Sequence, residues 1–151
     1  MERVTNSAEP KVDDVSGAVS DVAAAEPGVA AAYLYGSVVR GQATPLSDLD
    51  VAVLVAEAVA QAERGALQRR LMAALARRLP GRRVDVRLFD ELPIAIRGRV
   101  LQEGKRVFER DPVLRVREEV RTRMAYHDFL LFERAELGEG LAGLRRRAGG
   151  G

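Results

Sequence analysis

The chain has 151 residues, with 24 basic and 22 acidic side chains, a formal net charge of +2 and no cysteine. That length fits one domain with a proper core and excludes a large multi-domain machine. The absence of cysteine excludes a disulfide framework and thiolate chemistry.

Met1 to Pro10 is polar, holds no apolar leader segment and reads as a flexible start. Val12, Val15, Val19 and Val22 recur at spacings of three and four, which predicts a helix over Lys11 to Ala25, stopped by Pro27-Gly28. Val29 to Tyr35 reads as a buried strand ended by Gly36, followed by a short connection from Ser37 to Pro45. Asp48 to Val55 is the clearest strand. Leu49, Val51, Val53 and Val55 point one way, and Asp48, Asp50, Ala52 and Leu54 the other.

A helix is expected over Glu57 to Leu79, with Leu67, Leu71, Leu75 and Leu79 along one stripe. Arg83 to Phe89 alternates again, with Val84, Val86 and Leu88 opposite Asp85 and Arg87. Pro93 suits the first turn of a helix to Gln102. Arg106 to Glu109 reads as a last strand, and Asp111-Pro112 opens a long helix to about Leu137. Residues 138–151, rich in Gly and Arg, read as a flexible tail, which leaves 11–137 as a single domain. The longest apolar stretch, Val51 to Ala60, contains Glu57 and is far short of a membrane span, so a cytoplasmic protein is expected.

Strands interleaved with helices predict an α/β (α+β) sheet. A short link favours an antiparallel first pair, and the helical link to the third strand favours a parallel crossover, giving a small mixed sheet of about four strands.

Asp48 and Asp50, two apart on a strand, share a face. Asp85 lies on the next strand, opposite Val84 and Val86. If those strands are neighbours the carboxylates converge, an arrangement that is costly unless a cation sits among them. Hard divalent cations take carboxylate oxygens, magnesium commonly one or two plus substrate phosphates. Gly36 and Ser37 stand where a strand ends. Free backbone N–H groups and a hydroxyl there suit a phosphate, and Arg40 could add positive charge. Acidic pairs also occur on solvated strand faces, and Gly-Ser marks many ordinary turns. The combination with its ten-residue spacing carries the reading.

The string from Leu34 to Val55, with Gly36-Ser37, ten residues, then Asp48-Leu49-Asp50, resembles the signature of the polymerase-β-type nucleotidyltransferases. It is most similar to the minimal nucleotidyltransferases (MNT), the adenylyltransferase antitoxins paired with HEPN ribonuclease toxins. The likeness takes in Val84-Asp85-Val86, the segment Arg99 to Pro112 and the closing helix with Tyr126 and Phe129. It implies the nucleotidyltransferase fold and a Mg²⁺-dependent transfer of AMP from ATP, with two metal ions, to a hydroxyl of a HEPN toxin, where the family modifies a tyrosine. Asp48, Asp50 and Asp85 would bind metal, Asp85 also aiding removal of the acceptor proton. Gly36 and Ser37 would hold the β- and γ-phosphates, with Arg40 beside them. A non-catalytic antitoxin and a nucleotidyltransferase with a small-molecule acceptor such as an aminoglycoside remain as alternatives. A homo-oligomer is compatible with a toxin–antitoxin complex, and for a small-molecule acceptor a homodimer could supply the missing wall of the pocket.

The charge is unevenly spread. Met1 to Ala60 carries three basic and nine acidic residues, and Gln61 to Gly151 carries 21 and 13. With no recognised nucleic-acid module and no aromatic interleaving among the arginines, the basic part reads as solvated helix surface or partner docking rather than a nucleic-acid site. His127, the single histidine, reads as a helix-face residue. Tyr126, Phe129, Leu130 and Phe132 read as core packing.

Overall fold

The computed structural model describes residues 12–42 and 48–149. Helix α1 (Val12–Ala24) is followed by strands β1 (Val29–Tyr35) and β2 (Leu49–Val55), helix α2 (Arg64–Arg78), strand β3 (Val84–Leu88), helix α3 (Ile94–Glu103), strand β4 (Lys105–Glu109) and helix α4 (Pro112–Ala148). The four strands form one mixed sheet in the order β3-β2-β1-β4. β1 pairs antiparallel with β2 and with β4, and β2 pairs parallel with β3 across the α2 connection. The mixed sheet and its strand directions match the sequence expectation.

Period-two alternation divides the core between two faces. Leu49, Val51, Val53 and Val55 meet Val15, Val19 and Val22 of α1 and Leu67, Leu71 and Leu75 of α2. On the other face Tyr33, Ala52 and Leu54 pack with Phe89, Leu92, Val100 of α3 and Leu114 of α4. Both central strands are therefore covered on both sides, which is why β1 reads as a near-continuous apolar run.

Most boundaries shift from expectation by a residue or so, and three of the differences matter here. The helix expected from Glu57 begins only at Arg64, preceded by a turn and a short 3₁₀ segment, Gln61–Glu63. Ala60 is extended (φ −64°, ψ 146°), and the preceding turn returns Val59 to the core edge. β2 starts at Leu49, so Asp48 precedes it. The last helix runs on through Gly138, Gly140 and Gly143 to Ala148, eleven residues beyond Leu137, so most of the expected tail is helical. The expected flexible start, Met1 to Pro10, lies outside the described residues.

α4 starts as its sequence dictates. The Asp111 carboxylate accepts from the Leu114 N–H at 3.0 Å, and Pro112 occupies the first turn, where no N–H is needed. Tyr33 of β1 donates its hydroxyl to Glu119 at 2.7 Å, and Arg115 holds the same carboxylate at 3.0 Å. α4 also packs on α3, where Gly98 lies directly under the Tyr126 ring. Phe129 and Leu130 are half-buried. Phe132 is 64% exposed, so it does not belong to the core as expected. Among the described residues no helix is long and apolar enough to cross a membrane.

Candidate functional site

The site starts from a row of three residues across the sheet. Tyr35 of β1 stands opposite Asp50 of β2, and Asp50 opposite Asp85 of β3. Residues in register point to one face, here the face that α3 and α4 cover further along the strands. The row lies where that cover ends, which leaves Asp50 and Asp85 half-buried.

The two carboxylates therefore face each other. Asp50 has its pKa raised above the ordinary 3.8 by burial first, then by the charges of Asp85 and Asp48, with Arg40 and Arg87 pulling the other way. The Tyr35 phenol is pushed up to about 12 by burial and by the same two carboxylates, Asp50 and Asp85. The row is a spot of concentrated negative potential.

Gly36 closes the row. Its backbone is left-handed (φ +81°), and a Cβ there would lie 2.4 Å from Oδ2 of Asp50. Only glycine permits both the turn and that approach. The chain then turns over Ser37 to Gly41, with the Arg40 N–H bonded to the Gly36 carbonyl at 3.3 Å and the Gln42 N–H to the Ser37 carbonyl at 3.0 Å. Val38 is buried in the core and anchors the turn from below. Ser37 stays half-exposed at the mouth. Arg40 is exposed, its guanidinium 4.0 Å from Glu103.

Asp48 is the outlying member. It precedes β2, is exposed, and lies 3.7 Å from the Arg83 guanidinium. The structure thus sets Gly36, Asp50 and Asp85 tightly together, with Asp48, Ser37 and Arg40 at the rim. Among the described residues no three ligand-type side chains are gathered closely enough to hold an ion by themselves. The donors nevertheless suit a hard divalent cation. They are carboxylate oxygens whose mutual repulsion a cation would relieve, beside a glycine cradle open to phosphate oxygens that could complete the coordination.

Two residues here were not assigned from sequence. Tyr35 is the aromatic end of the row. Arg87 lies one alternation beyond Asp85 on the same face, its guanidinium 3.9 Å from the Asp85 carboxylate. The alternation of β3 carried that signal, since Arg87 shares the Asp85 side of the strand.

The sequence profile of the family described as "Polymerase beta, Nucleotidyltransferase" matches residues 18–113, more than half of the chain. No curated protein matches it significantly. Several solved structures share the fold. One is a toxin–antitoxin crystal structure with AMP-PNP, 21% identical with a TM-score of 0.62, covering 83% of this chain and 98% of the other. Another is a complex of tri-AMPylated Shewanella oneidensis HEPN toxin with MNT antitoxin, 20% identical with a TM-score of 0.55, covering 84% and 96%. A third is the toxin–antitoxin MntA–HepT, 17% identical with a TM-score of 0.52, covering 87% and 97%. At such identities the likeness is one of fold.

Proposed function

We propose, from the premise that the chain belongs to the polymerase β nucleotidyltransferase family, that it is an MNT-type antitoxin that transfers AMP from ATP to a tyrosine hydroxyl of a HEPN toxin and so silences it in the cytoplasm. The observation that carries this reading is the in-register Asp50–Asp85 pair with Gly36 against the Asp50 carboxylate. The structural neighbours that include an AMP-PNP complex and a tri-AMPylated toxin support AMP as the transferred group and a HEPN protein as acceptor.

Asp50 and Asp85, with Asp48 at the rim, would hold magnesium. Bound there, the metal would supply Lewis-acid stabilisation of the charge that develops on the phosphoryl oxygens. The chain's own groups do the rest. The backbone N–H groups at Gly36 and Ser37 and the Ser37 hydroxyl take phosphate oxygens, and Arg40 adds positive charge at the same mouth. Asp85 would accept the proton of the incoming hydroxyl as that oxygen attacks the α-phosphorus, and pyrophosphate leaves. Fixing the reactants in line supplies much of the acceleration.

A macromolecular acceptor is favoured by α4. Val113, Val116, Val120, Met124 and Leu131 are exposed along it, on the helix layer that flanks the acidic row. Such a stripe suits a docking protein better than a small molecule. The test is incubation with ATP, Mg²⁺ and the cognate toxin, read by intact mass. A gain of AMP on the toxin, abolished by Asp48→Asn with Asp50→Asn, is expected. An unmodified toxin with the wild-type chain overturns the reading.

A further inference from the structure

The electrostatics of the row are incomplete without Arg87. It stands on β3 opposite Ala52, two register positions along from the Asp50–Asp85 pair. Alternation gives it the face of Asp85, away from Val86 and Leu88, which are buried among α1 and α2 side chains. Its guanidinium is 3.9 Å from Asp85, with side-chain exposures of 53% and 43%. The contact is open to solvent and lacks bidentate geometry, so it contributes little to stability and costs little to break. Arg40 on the turn after β1 and Arg87 on the edge strand β3 both act against the raised Asp50 pKa.

We infer that Arg87 is a nucleotide-binding residue, which leaves Asp85 when a cation takes that carboxylate and then holds a phosphate of the bound nucleotide. This rests on the metal-and-nucleotide reading of the site. A free Arg beside a polyphosphate offers a planar fork of donors matched to phosphate oxygens, which a Lys ammonium does not reproduce. The ion pair with Asp85 keeps the guanidinium close to the place it is needed.

The rival role is simple neutralisation, with Arg87 present only to soften repulsion between Asp50 and Asp85. The two roles move two affinities differently. If Arg87 only neutralises, Arg87→Gln removes a competing cation, so Mg²⁺ alone binds more tightly and nucleotide binding at saturating Mg²⁺ is unchanged. If Arg87 holds phosphate, nucleotide binding at saturating Mg²⁺ falls.

The experiment is calorimetric titration of wild type, Arg87→Gln and Arg87→Lys with Mg²⁺ alone and with AMP-PNP at saturating Mg²⁺. Circular dichroism checks that each variant is folded. We expect AMP-PNP affinity to fall about tenfold in Arg87→Gln, with Arg87→Lys between it and wild type. Unchanged AMP-PNP affinity in Arg87→Gln overturns the inference and leaves the proposed function standing. Failure of the wild-type chain to bind AMP-PNP at all overturns both.

Discussion

Gly36 and Asp50 approach so closely that a methyl group on the first would occupy the space of the second's carboxylate, a Cβ lying 2.4 Å from Oδ2. The turn proposed to take phosphate and the carboxylate proposed to take metal are thus one fitted unit.

Replacing Gly36 with Ala strains a backbone at φ +81° and displaces Asp50. The expected cost is about 1–2 kcal/mol of stability, read by urea denaturation. AMP transfer should be lost at temperatures where the variant is still folded. A folded, fully active variant would contradict the fitted unit.

Asp50 makes a pH prediction with a definite sign. Its native pKa is raised above the ordinary 3.8 by burial and by Asp85 and Asp48, so over the intervening window the native state binds the proton more tightly than the unfolded chain. Stability therefore falls as pH rises through that window. Asp50→Asn removes this contribution. The stability of the variant minus that of wild type should grow from pH 4 towards neutrality, seen in paired thermal melts. Mg²⁺ should stabilise wild type at pH 7 and do so less in the variant.

Tyr33 donates to Glu119 at 2.7 Å, and Arg115 shares that carboxylate. Tyr33→Phe removes a bond to a charged group but leaves Glu119 paired. The expected loss is about 1.5 kcal/mol in urea denaturation, with nucleotide affinity unaltered.

Gly98 lets α3 and α4 touch. A Cβ there would lie 2.2–2.6 Å from three atoms of the Tyr126 ring. Alanine is ordinarily the better helix former, but here overpacking should win, with a net loss of about 1–2 kcal/mol. In Tyr126→Ala the same Gly98→Ala change should become neutral or stabilising, so a double-mutant cycle measures the contact.

Much of this was legible in sequence, and the exceptions have physical reasons. β2 and β3 were readable from alternation, and β1 from its near-continuous apolar run between turn residues. The start of α2 was missed because the stripe from Leu67 to Leu79 does not mark where the helix begins, while Ala60 is extended and the chain folds Val59 inward. The end of α4 was missed because Gly138, Gly140 and Gly143 look like breakers. Each costs about 1 kcal/mol relative to Ala, yet Glu139, Leu141 and Ala142 stand between them, and Arg145, Arg146 and Arg147 complement the C-terminal dipole. Gly36, Asp48, Asp50 and Asp85 could be named from spacing. That Arg87 shares the Asp85 face is legible in the alternation of β3, whereas the placing of Asp50 beside Asp85 and of Asp48 near Arg83 follows from the parallel β2–β3 register, which no local pattern encodes.

That register also orders events in time. β1 and β2 are close in the chain and pair antiparallel, so the Gly36–Asp50 contact closes a short loop. Asp85 reaches Asp50 only after α2 has crossed the sheet and β3 has docked beside β2, a longer and entropically dearer closure. The repulsion between the two carboxylates therefore opposes a late step of assembly, when Leu67, Leu71 and Leu75 are available to drive it. Cations present during refolding would act on that step and leave the first hairpin untouched.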